Sequence, residues 1–88
     1  MEVTINVPEY DKWQGILVSW VDGHEIEVTL DNNEVGIWAN KEGLISLATQ
    51  MLTLAQDEIP LGRHIHLGSN SGLDKNSLDL TIGKKQSS

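Results

Sequence analysis

Asn40-Lys41-Glu42-Gly43-Leu44-Ile45-Ser46-Leu47-Ala48-Thr49-Gln50-Met51-Leu52-Thr53-Leu54-Ala55 is the stretch on which the fold turns. Leu44, Leu47, Ala48, Met51, Leu54 and Ala55, joined by Ile45 and Leu52, recur at the three-and-four spacing of an amphipathic helix. Asn40 is suited to cap it, because its side-chain oxygen can accept from the free backbone donors of the first turn, and Glu42 suits the positive end of the dipole. Pro60 must end it. Gly43 in the first turn costs ~1 kcal/mol against alanine, which points to a strand passing close by. One helix with one broad apolar face needs a sheet to cover it.

The sheet is read outward from both ends of that helix. On the N-terminal side, Glu34-Val35-Gly36-Ile37-Trp38-Ala39 alternates, with Val35, Ile37 and Ala39 on one face and Glu34, Gly36 and Trp38 on the other. Asp31-Asn32-Asn33 supplies a turn before it. Residues 15–21 and 24–30 flank Asp22-Gly23, the dipeptide that best signals a tight hairpin, and residues 2–7 alternate until Pro8 stops them. On the C-terminal side, Arg63-His64-Ile65-His66-Leu67 and Leu78-Asp79-Leu80-Thr81-Ile82 form a second hairpin around a Gly, Ser and Asn loop. The class is α+β: an antiparallel sheet of about six strands, made of a β-meander and a C-terminal β-hairpin, with one amphipathic helix packed on one face. Val35, Ile37, Ile65, Leu67, Leu78, Leu80 and Ile82 are expected to face the helix, and Glu34, Trp38, His64, His66, Asp79 and Thr81 to face away. Residues 1–83 are expected to make a single domain, and the polar tail 84–88 to be disordered.

Thirteen Asp and Glu against six Lys and Arg give a formal net charge of −7. Binding nucleic acid requires cations to neutralise phosphates, so this balance argues against a DNA or RNA partner and favours a basic protein. The negative charge is concentrated: no Lys or Arg falls between Lys12 and Lys41, whereas Asp22, Glu25, Glu27, Asp31 and Glu34 do. Without cysteine there is no disulfide framework and no thiolate site, which makes the cytoplasm the expected compartment. No apolar stretch approaches the ~18 residues of a membrane span, so no membrane association is expected.

Residues with chemical potential do not assemble into an active site. His64 and His66, two apart on a strand, share a face and can chelate a metal such as zinc, with Asp79, Glu34 or His24 as further ligands, but no third ligand is fixed by spacing. In Gly68-Ser69-Asn70-Ser71-Gly72 the central residue is Asn70 rather than a serine, and the loop joins two strands, so it is no nucleophile elbow. The expectation is a protein without enzymatic activity and without a cofactor. Three tryptophans and no phenylalanine favour an interface, since indole buries a large area while keeping one donor. Trp38 is the foremost anchor candidate, and Trp20, Glu25, Glu27, Glu34, His64 and His66 complete the expected partner-binding set.

Ile37 to Ala55, with Trp38-Ala39-Asn40-Lys41-Glu42-Gly43-Leu44 leading into Leu47-Ala48 and Leu54-Ala55, is followed by His64-Ile65-His66-Leu67, Gly72-Leu73 and Ser77-Leu78-Asp79-Leu80. In this C-terminal half the chain resembles the bacterial immunity protein 32 family. The resemblance implies a protein that neutralises a cognate toxin of a polymorphic toxin system by binding it. The residues alone leave two other readings open: a structural or adaptor module that self-associates as a homodimer through its open face or edge strands, and a small metal-binding protein using His64 and His66.

Overall fold

The computed structural model describes residues 1–87, so Ser88 of the expected tail lies outside the described residues. The elements run β1 (Ile26–Asp31), β2 (Glu34–Ala39), α1 (Lys41–Leu54), β3 (His64–Leu67) and β4 (Leu80–Gly83). The α+β class holds, but the single sheet of about six strands does not: among the described residues four strands form two separate two-stranded antiparallel sheets, β1 with β2 and β3 with β4.

Asn40 caps α1 as its side chain predicts. Its Oδ1 accepts from the Gly43 N–H at 2.8 Å and also from the Glu25 N–H at 2.9 Å, while its Nδ2 donates to the Gly23 carbonyl. One amide thus ties the helix start to the turn that precedes β1. Gly43 is required by that closeness. A Cβ there would overlap the Glu25 carbonyl oxygen and come within 2.9 Å of Ile26 Cγ1. The helix ends at Leu54, well before Pro60.

The face that α1 buries is not the wholly apolar one. Leu47 and Leu54 enter the core, but Ser46, Thr49, Gln50 and Thr53 are buried beside them, while Leu44, Met51 and Leu52 are exposed. The threonines satisfy themselves within the helix, Thr49 donating to the Ile45 carbonyl and Thr53 to the Thr49 carbonyl. Ser46 and Gln50 serve the chain N-terminal to β1. Ser46 Oγ accepts from the Val21 N–H at 2.9 Å, and the Gln50 amide both accepts from the Ser19 N–H and donates to the Ser19 carbonyl. Further along, Gln56 accepts from the Tyr10 N–H and donates to the Pro8 carbonyl.

These bonds explain the missing strands. Residues 15–21 have a strand's apolar composition, but the backbone groups at Ser19 and Val21 are spent on helix side chains, so Asp22-Gly23 forms a tight turn without a hairpin. Gly23 takes the left-handed conformation, at φ 84°, and the His24 N–H donates to the Val21 carbonyl. Residues 2–7 form no strand either. The hairpin forms one turn later: Asn32 and Asn33, at φ 50° and 64°, make the two-residue connection whose positive dihedrals match strand twist.

The outer edge of β1 is covered by residues 74–78. Asp74 and Leu78 donate their N–H groups to the Ile26 and Val28 carbonyls, and Asp74 Oδ1 and Ser77 Oγ accept from the Ile26 and Val28 N–H groups. The chain advances four residues, from Asp74 to Leu78, while β1 advances two, from Ile26 to Val28, which no regular ladder allows, so side-chain oxygens stand in for carbonyls. The core gathers Ile26, Val28, Leu47, Leu54, Ile59, Ile65, Leu67 and Leu73, with Tyr10, Ile16, Trp20, Ala39, Leu80 and Ile82 packed on it. Ile65 and Leu67 face inward as alternation predicts. Val35, Ile37 and Leu78, expected to do the same, are exposed: the β1–β2 hairpin carries Val35 and Ile37 past the end of the core, and Leu78 belongs not to a strand but to the segment laid along the edge of β1. At the first tail residue, Lys84 exchanges backbone hydrogen bonds with Gly62 and Arg63, and its ammonium donates to the Gln56 and Ile59 carbonyls at 2.6 and 3.0 Å.

Candidate functional site

The register of β1 against β2 decides which side chains meet. Ile26, Val28 and Leu30 pair with Ala39, Ile37 and Val35, while Glu27, Thr29 and Asp31 pair with Trp38, Gly36 and Glu34. Since alternate residues point to opposite faces, the hairpin has an apolar face that begins in the core and an outer face that is acidic and aromatic.

The outer face has a defined shape. Thr29, Asp31, Asn32, Glu34, Gly36 and Trp38 line a groove of about 250 Å³. Trp38 is 69% exposed, a large indole held in solvent. Gly36 makes its pose: a Cβ there would come within 2.9 Å of both Thr29 Oγ1 and Trp38 Nε1, so the missing side chain lets the indole lie back along the strand. Glu27 stands directly across the ladder from Trp38, and Asp31 across from Glu34. Three carboxylates therefore share one small face with an exposed aromatic ring. Such a face is suited to holding cations, by charge and by attraction to the ring.

The remaining residues singled out from sequence lie elsewhere. Glu25 is exposed at the start of β1, where Asn40 holds its backbone. Trp20 is half-buried against the core and stacks on His24, with ring centroids 4.6 Å apart. The His24 Nε2 lies 2.9 Å from the Gly72 carbonyl, and a Cβ on Gly72 would overlap the Trp20 ring, so Trp20 is wedged into the loop before Leu73.

His64 and His66 lie on the other sheet. Their rings meet edge to face, with centroids 4.7 Å apart. His66 Nδ1 lies 2.9 Å from Thr81 Oγ1 and His64 Nδ1 lies 3.1 Å from the Gly62 carbonyl. Asp79 lines a shallow cavity of about 270 Å³ with His66 and the loop 67–71. Neither Glu34 nor His24 joins them. Among the described residues, no group of three or more His, Cys, Asp or Glu comes together to hold a metal ion.

Sequence reasoning had Glu27, Glu34 and Trp38 in its set but missed Thr29, Asn32 and Gly36, and it noted Asp31 only for charge and as a turn residue. The available signal was Gly36 two residues before Trp38 on an alternating strand, where a bare position on the same face leaves room for an indole. Among the described residues no helix is long and apolar enough to cross a membrane.

The family model described as immunity protein 32 matches residues 34–85. That span takes in β2, α1, β3 and β4 and leaves out β1 and everything before it. No curated protein and no solved structure gives a match.

Proposed function

The chain belongs to the immunity protein 32 family, and on that premise we propose that it binds and neutralises a cognate toxin protein, acting in the cytoplasm by contact alone and without catalysis. The observation that carries the reading is Trp38, exposed over Gly36 and bordered by Glu27, Asp31 and Glu34. Exposed aromatics of this kind supply most of the affinity at protein interfaces, because they bury a large rigid area with few rotamers to lose. The acids around it favour a basic surface on the toxin. With a net charge of −7, the chain attracts such a partner at long range, and association slows as salt rises.

Glu25 extends the acidic surface toward the start of β1. Trp20, His64 and His66 stand apart from it, Trp20 as a packing residue and the histidines on the second sheet.

The test pairs the chain with the stoichiometric partner that co-purifies with it from its native host. Growth of cells expressing the toxin is measured with and without the chain, and the affinity of the purified pair by calorimetry. Protection is expected, with a complex that Trp38→Ala weakens by more than tenfold, a hot-spot effect of ~2 kcal/mol. A chain that leaves the toxin's activity and host growth unchanged would sink the proposal. A stoichiometric homo-oligomer without toxin affinity would replace it with the self-associating module.

A further inference from the structure

The hydrogen bonds on the far side of β1 determine what β2 offers outward. Ile26 and Val28 send their N–H groups away from β2, to Asp74 and Ser77. Their register partners Ala39 and Ile37 therefore belong to the non-hydrogen-bonded pairs of the ladder, and strict alternation adds Val35. In such pairs the N–H and C=O point away from the neighbouring strand. The backbone groups of Val35 and Ile37 thus face outward, and among the described residues no strand lies beside them. Where β1 has its edge covered by residues 74–78, β2 has its edge open.

An open edge accepts an added strand, and its two faces select the side chains of that strand. On one face the newcomer would lie beside Val35 and Ile37, 64% and 40% exposed, with Leu30 behind them at 61%. On the other it would lie beside Glu34 and Trp38, with Asp31 and Glu27 one strand further in. Alternation in the edge demands alternation in its ligand. Resting on the binding role argued above, we propose that the outer edge of β2 docks an extended segment of the partner in which basic and apolar residues alternate. The basic side chains lie over Glu34 and Trp38, and the apolar ones over Val35 and Ile37. A second copy of β2 fits poorly, because it would bring together two acidic faces on chains that each carry −7.

The experiment uses the full chain and a blocked heptapeptide of alternating lysine and valine, with a control peptide of the same composition in which all lysines precede all valines. Amide resonances of the protein are followed during titration. The expected result is shifts centred on Val35, Ile37 and the Trp38 indole, at least fivefold weaker binding of the control, and about tenfold loss between ~50 and ~300 mM salt. Val35→Pro removes an outward donor while sparing the ladder to β1, and it should abolish peptide binding. The charge reversal Glu34→Lys, read alongside it, gives the same loss without altering the backbone. Equal binding of both peptides, or shifts centred away from β2, would overturn the proposal, as would self-association through β2.

Toxin assays separate this inference from the reading it rests on. If the wild type protects and Val35→Pro protects equally, the edge assignment fails and neutralisation stands. If the peptide docks at β2 but the chain protects no host, neutralisation fails and the edge assignment stands.

Discussion

Residues 15–21 and strand β1 both carry the β-branched and other apolar residues of a strand, lie on either side of one tight turn, and both approach α1. Yet β1 is held by a ladder to β2, and residues 15–21 by polar side chains of a helix. Val21 donates to Ser46 and Ser19 is clasped by Gln50, whereas Ile26 to Asp31 pair residue by residue with Ala39 to Glu34. A short apolar run rich in strand-forming residues says that a segment is extended and at least half-buried. It does not say what satisfies the backbone, and a serine or glutamine on a neighbouring helix can do so as well as a strand.

That difference can be broken at its strongest point first. Ile26 is fully buried between helix and ladder, so Ile26→Ala should cost about 2 to 5 kcal/mol in denaturant unfolding. Gln50→Ala should come next, at about 1 to 3 kcal/mol, since a fully buried amide is lost and two Ser19 backbone groups lose their partner. Hydrogen exchange sharpens this case: the Ser19 amide should lose protection while the amides of the β1–β2 ladder keep theirs. Equal loss in both would mean that residues 15–21 and the hairpin unfold as one. Ser46→Ala removes a single acceptor, that of the Val21 N–H, and should cost about 0.5 to 1.5 kcal/mol. Leu17→Ser should be the mildest, within about 0.5 kcal/mol, because this side chain is exposed despite its strand-like setting.

The same contrast explains what could be read from sequence. Helix α1 and its Asn40 cap follow from local rules, since each depends on residues within a few positions of one another, whereas the close approach at Gly43 and the β3–β4 hairpin were legible from residue type and alternation although their partners lie more than ten residues away. Turn chemistry was legible only in part. Asp22-Gly23 and Asn32-Asn33 are both turns, but only the second has a ladder on each side, and that depends on Ser46 and Gln50 some thirty residues away. For the candidate site, the exposed side of β2 was readable by period two, which placed Trp38 and Glu34 together. The groove was not, because it needs the register that sets Thr29 against Gly36 and Glu27 against Trp38. Nor could period two reveal that Val35 and Ile37 overhang the core, since alternation separates two faces without showing how far the core extends beneath either.

Lys84 has a consequence for chemical footprinting. Its ammonium is half-buried and divided between two carbonyls, beyond the end of a helix whose last turn has no basic residue of its own. Lys12, Lys41, Lys75 and Lys85 are exposed. An acylating reagent that needs a free amine would modify those four first and Lys84 last. The delay at Lys84 would then report, without any spectroscopic probe, how often the C-terminal strand lets go of the chain beneath it.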